Sequence, residues 1–211
     1  AANHAYAEIA LDNPATKWKA KCILVVALIG QKASILALNV AKELDSEELA
    51  PQSLALCYRG EALLATRAYE EALTALDSAI TDDPACALAF NNRGAHRLIA
   101  TKDFEGALAD CDRALEIDPT YACAYGNRAF AKMKLGQFDS ATTDLKEALR
   151  LGRNEQRNAT YRRWLEAASG PIIVQPSFPD PNEAPMTFWD PALIPTLPCR
   201  RTSRRLATSA A

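Results

Sequence analysis

An all-α solenoid of stacked helical hairpins is the fold class that this 211-residue sequence predicts, on three observations. Alanine and leucine dominate, glycine is sparse and β-branched residues are few, a balance that favours helix and gives strands little to work with. Three segments align on one another: LALCYRGEALLATRAYEEALTALDSAITDDP from Leu54, LAFNNRGAHRLIATKDFEGALADCDRALEIDP from Leu88, and CAYGNRAFAKMKLGQFDSATTDLKEALRLGR from Cys123. Each has the pattern of a helix, a tight turn and a second helix, and one such hairpin cannot cover its own apolar face, so the units must stack.

Landmarks recur within the three segments. Arg59-Gly60, Arg93-Gly94 and Arg128-Ala129 lie in the first helix, and Tyr69, Phe104 and Phe138 open the second. Ala72, Ala107 and Ala141 follow, then Ala79, Ala114 and Ala148, and Pro84 and Pro119 close the first two units. Small residues let antiparallel helices approach, the aromatic plugs the gap after the turn, and proline ends a helix it cannot continue. The period is 34 residues from Arg59 to Arg93 and from Phe104 to Phe138, with one extra residue in the middle turn (IATKDF against LGQF).

This pattern resembles the tetratricopeptide repeat, with five or six residue types at fixed offsets three times over. The resemblance implies a right-handed solenoid whose concave wall is built from the first helices and grips extended or helical peptides. Carried over by position, the wall comprises Leu54, Cys57, Tyr58, Glu61 and Leu64, then Leu88, Asn91, Asn92, Ala95 and Ile99, then Cys123, Asn127, Phe130, Met133 and Lys134. The residues expected to touch a partner are Tyr58, Glu61, Asn91, Asn92, Asn127, Phe130 and Lys134. Asn92 and Asn127 stand where many family members hydrogen-bond a ligand's backbone, a role that suits an amide because it both donates and accepts; solvation, or bonds to neighbouring helix ends, is the plainer alternative. One subclass binds carboxylate-terminated chaperone tails through lysines one turn earlier. Leu88 and Cys123 occupy those positions here, so such tails are not the expected ligand.

The organisation along the chain follows. Residues 1–14, with AYAEIALDNP, are expected to be the remnant of a preceding repeat helix. Residues 15–52 form a divergent hairpin, with Trp18 at the aromatic position, Ser34 and Ala41 at the small positions and Leu38 between them. Three repeats span 53–86, 87–121 and 122–153. Residues 154–169 make a capping helix with Tyr161, Trp164 and Leu165 on its apolar side, which a solenoid needs to shield its last face. Eight of the twelve prolines fall between Pro171 and Pro198, so 170–211 is expected to be a disordered tail with a basic end at Arg200, Arg201, Arg204 and Arg205. Phe188 to Leu193 could serve as a linear motif within it. RRTSRR around Ser203 resembles a kinase site, but a solvated basic end is the simpler reading.

Charge and side-chain inventory restrict the function. The formal charge is −2 with both signs interspersed, which argues against nucleic acid as a partner. The apolar run CILVVALI from Cys22 is too short for a membrane span, which takes about 20 residues. The six cysteines contain no CxxC pair and read as packed thiols of a reducing, cytoplasmic compartment. His4 and His96 are the only imidazoles and keep no catalytic company, and no Gly-rich phosphate loop, HExxH or GxSxG occurs, so neither enzyme activity nor a cofactor is expected. Arg59, Arg93 and Arg128 form a ladder best explained by ion pairs with Asp77, Asp110, Asp112 and Asp144 on the second helices. The Asn158 sequon lies mid-helix and is discounted. The expected function is a scaffold binding a peptide or protein in its groove; the alternative is the docking portion of a larger enzyme or regulator.

Overall fold

The computed structural model describes residues 16–48 and 50–169. Among these residues there are nine α-helices and no strand: α1 (Lys17–Gly30), α2 (Ser34–Leu44), α3 (Gln52–Ala65), α4 (Tyr69–Asp82), α5 (Ala87–His96), α6 (Phe104–Ile117), α7 (Ala122–Lys134), α8 (Phe138–Leu151) and α9 (Glu155–Ser169). Successive helices pack as antiparallel pairs, α1 with α2, α3 with α4, α5 with α6 and α7 with α8, and α9 closes the stack against α8. The first helices also touch along the array, α1 with α3, α3 with α5 and α5 with α7, which makes the assembly a solenoid. The expectations for residues 1–15 and 170–211 lie outside the described residues.

The second helices are amphipathic in the simple sense. In α4 only Ala72, Ala75, Leu76 and Ala79 are buried, and in α8 only Ala141, Asp144, Leu145 and Ala148. A stripe this narrow and this small lets the partner helix come close: a Cβ on Gly60 of α3 would stand 2.8 Å from Leu76 Cγ. In the divergent hairpin the buried small residues of α2 are Ala37 and Ala41, with Ser34 and Leu38 half-buried.

Each turn between paired helices is made by one residue in the left-handed region, at Lys32 (φ 60°), Arg67 (φ 63°), Lys102 (φ 57°) and Gly136 (φ 76°). Three of these turns close with the same backbone bond across five residues: Ala33 N to Leu28 O (2.9 Å), Ala68 N to Leu63 O (2.9 Å) and Gln137 N to Lys132 O (2.8 Å). In the middle repeat the corresponding bond runs from Asp103 N to Arg97 O (3.2 Å), across six residues. The extra residue seen in the sequence is thus absorbed upstream of the turn, where Arg97–Thr101 continues α5 as a π-helical segment. Arg97 from that segment donates to Gly106 O at 2.9 Å and pairs with Asp110 at 3.2 Å, tying the widened turn to α6.

The expected arginine ladder is present. Arg93 reaches back to Asp77 (2.8 Å) and forward, with two nitrogens, to Asp110 (2.7 and 3.0 Å). Arg128 repeats this with Asp112 (2.7 Å) and Asp144 (2.6 and 2.9 Å), and Lys132 joins Asp144 at 2.7 Å. Each arginine therefore staples its own second helix to that of the preceding repeat. The hydrogen bonds that Arg93 donates to Asp110 and Asp77 raise its pKa against the opposing effect of burial. For Arg128 the opposing burial is larger, and the bonds to Asp144 and Asp112 still hold its pKa high. Arg59 has only Asp45, because Ala75 occupies the place in α4 that Asp110 and Asp144 hold in α6 and α8. The series ends at α9: Lys146 precedes Arg162 by the 16 residues that separate Asp77 from Arg93, and Arg162 pairs with Glu155 instead.

The cap docks through aromatics. Trp164 packs 5.2 Å from the Phe130 ring and 5.9 Å from Tyr161, all three buried. Tyr161 lies against Gly126 of α7 so closely that a Cβ there would collide with its ring and hydroxyl. Asn158 is buried and donates to Gly152 O at 3.0 Å, a structural role at the α8–α9 junction. Lys21 of α1 bonds Glu43 (2.8 Å) and Glu47 (2.7 Å), which ties α1 to α2 and the segment after it.

Candidate functional site

The first helices α3, α5 and α7, expected to line the concave side, are buried at most of their positions, in contrast to the second helices. A helix surrounded in this way has no cheap place for polar side chains, yet six stand there: Ser53, Glu61 (0 % exposed), Asn91, Asn92, His96 and Asn127. Leu54, Cys57, Tyr58 and Glu61 follow one another along α3 at turns of three or four residues and so share a face, with Leu88 and Asn91–Asn92 on α5 and Cys123, Asn127 and Phe130 on α7 as their counterparts.

The three asparagines form a relay. Asn127 Nδ2 donates to Asn91 Oδ1 at 2.9 Å, and Asn91 Nδ2 donates to Asn92 Oδ1 at 3.2 Å. The relay ends at Asn92 Nδ2, which is buried without a hydrogen-bond partner. Asn127 and Asn91 thus bond each other across repeats.

Glu61 is a second open end: neither carboxylate oxygen has a hydrogen-bond partner. Burial pushes its pKa up to about 8, against the opposing pull of the Arg157 guanidinium. Cys22 from α1, Tyr58 beside it on α3 and Tyr121 just before α7 also feel its charge. Burial raises the Cys22 thiol and both phenols, so these groups face Glu61 uncharged. Tyr58, Glu61, Asn91, Asn92, Asn127 and Phe130 are all buried rather than on an open surface. Phe130 is seated on Trp164 of the cap. Lys134 is exposed at the end of α7, its ammonium 5.2 Å from the Phe130 ring centroid.

Two features were not visible in the sequence. Arg157 of α9 donates to Cys123 Sγ at 2.8 Å and carries the cap's charge into the concave cluster, and Tyr121 enters the same cluster from outside the repeat's first helix. Spacing could have suggested Arg157, since it stands 34 residues after Cys123, one period on. The five described cysteines are buried thiols; Cys57 and Cys86 approach to 3.9 Å, and Cys86 caps α5 rather than lying inside it. His96 is buried, with Nε2 2.9 Å from Tyr69 O. Among the described residues no group of three or more His, Cys, Asp or Glu could hold a metal, and no helix is long and apolar enough to cross a membrane.

Comparison with known proteins agrees with this geometry. The family model described as Tetratricopeptide repeat matches residues 98–161. The Arabidopsis OM64 TPR domain is similar at 27 % identity with a TM-score of 0.51, over 56 % of this chain and 93 % of that one. The second TPR domain of human RPAP3, solved in complex with the HSP70 peptide SGPTIEEVD, is similar at 27 % identity with a TM-score of 0.50, over 57 % of this chain and 97 % of that one. The TPR2B domain of yeast Sti1, in a pHsp70 complex, shares the fold at 24 % identity with a TM-score of 0.52, over 56 % and 96 %. No curated protein sequence matches the chain. With its stacked hairpins, its small-residue stripes and its repeat-spaced arginine staples, this chain belongs to the tetratricopeptide repeat family.

Proposed function

We propose that this chain is a non-catalytic interaction module that grips a peptide or protein segment on the concave side of α3, α5 and α7. The observation that carries this reading is the amide relay ending at Asn92 Nδ2, a buried donor still able to take one acceptor such as a ligand carbonyl. Tyr58, Glu61, Asn91, Asn127, Phe130 and Lys134 complete the partner-binding set on the same side. The peptide complex of RPAP3 supports it by likeness of fold. It is tested by presenting a peptide array to the full chain and mapping the response by amide shifts. The expected result is perturbation confined to α3, α5 and α7 and weakened about tenfold by Asn92→Ala; shifts on the second helices alone would overturn it.

The ligand in this reading is not an acidic carboxylate tail. Leu88 and Cys123 stand where a clamp would need lysines, and Glu61 adds a carboxyl group to the wall; Arg157 supplies one cation beside Cys123. Titration with the SGPTIEEVD peptide that RPAP3 binds is the direct check. Micromolar binding abolished by Asn127→Ala would reverse this part of the reading.

A further inference from the structure

The geometry points to Glu61 as a specificity determinant that selects, in a partner peptide, a lysine or arginine side chain inserted against its carboxylate. This rests on the concave side being the binding face. Glu61 is fully buried, and both of its oxygens lack a hydrogen-bond partner. An ionised carboxylate in such a place is costly until a donor meets it, and a cation meets it better than a neutral donor because the low local dielectric strengthens the pair. Arg157 does not fill that role: it pulls on Glu61 electrostatically, but its guanidinium donates to Cys123 Sγ at 2.8 Å.

Depth selects the group further. A backbone amide or a short hydroxyl cannot reach a carboxylate that shows no surface, whereas lysine and arginine carry their charge on a slender aliphatic stem. Leu54, on the Glu61 face of α3, and Leu88, its counterpart on α5, are both buried apolar residues suited to line such a stem. Asn92 Nδ2, on the helix next to α3, offers a donor for a carbonyl of the same ligand. An acidic side chain in that position would set a second carboxyl beside Glu61 and supply no cation.

The test uses the full chain and an array of 12-residue peptides with neutral randomised flanks and one fixed central residue: Lys, ornithine, diaminopropionate, Arg, Gln or Glu. Retention of the Lys and Arg sets at least fivefold above Gln, with Glu lowest, and a decline from Lys through ornithine to diaminopropionate is the expected result. Glu61→Gln, which removes the ionisable carboxyl at nearly the same volume and is expected to fold, should bind the sets without preference. Three outcomes overturn the inference: equal retention, a preference that ignores stem length, or one that persists in Glu61→Gln. In each of these peptides still bind, so the groove reading survives; if no set binds at all, that reading fails and this inference with it.

Discussion

The two helices of each hairpin solve different problems. The second helices bury a narrow stripe, Ala72, Ala75, Leu76 and Ala79 in α4, and leave the rest to solvent. The first helices are buried at most of their positions and carry Glu61, Asn91, Asn92 and Asn127 inside. The contrast teaches that the second helices are built for stability and the first helices give some of it up, since a buried polar group without full satisfaction is a net cost.

The arginine staples join these two kinds of helix, and breaking them should have the largest effect. Arg128→Ala leaves Asp144 buried with only Lys132, so a loss of about 3 kcal/mol is expected in chemical denaturation. Arg59→Ala, which loses only the half-buried partner Asp45, should cost less than about 1 kcal/mol. Equal losses would show that the two-sided staple contributes nothing beyond a surface pair.

Glu61 allows the cost on the first-helix side to be measured. Its folded pKa, about 8, lies above the ordinary value of 4.5, so between these limits the folded protein holds a proton that the unfolded chain has released. Stability should therefore fall as pH rises from about 4.5 to about 8 and level off above. Glu61→Gln should remove that slope and stabilise the protein at pH 8, with little gain below pH 5. Parallel pH profiles for the two proteins in thermal unfolding would refute it.

Smaller effects separate the cap from the turns. Gly126→Ala drives a methyl into Tyr161, and an overpacking loss of about 2 kcal/mol is expected, with increased tryptophan emission from a loosened Trp164 as the specific readout. Arg67→Gly relieves a left-handed residue without removing any side-chain bond described for it, and a gain of about 0.5 to 1 kcal/mol in denaturation midpoint experiments is expected. A loss there would mean that the flexibility glycine adds to the unfolded chain outweighs the strain.

Much of this was legible in the sequence. The hairpins, the arginine–aspartate staples and the aromatic cap all follow from residues at fixed offsets, because helix periodicity converts offset into facing direction. The left-handed turn positions were not legible, since Lys32, Arg67 and Lys102 carry no conformational signature and only Gly136 does. The inserted residue was visible, but its absorption as a π segment at Arg97–Thr101 was not, since turn and helix end compete for the same backbone bonds. The expected site residues were assigned to the concave face, yet nothing in their spacing indicated that the asparagines would bond one another or that Glu61 would be sealed from solvent.

The repeat, the pairing of helices and the charges that staple neighbouring units are encoded in the chain's residue order, because each depends on contacts within one or two periods. Which polar groups are left with unused hydrogen-bonding capacity is set instead by long-range packing. That depends on how first helices from successive repeats and the cap converge, bringing Arg157 within electrostatic reach of Glu61 and Asn127 against Asn91, and no local pattern encodes the angle at which they meet.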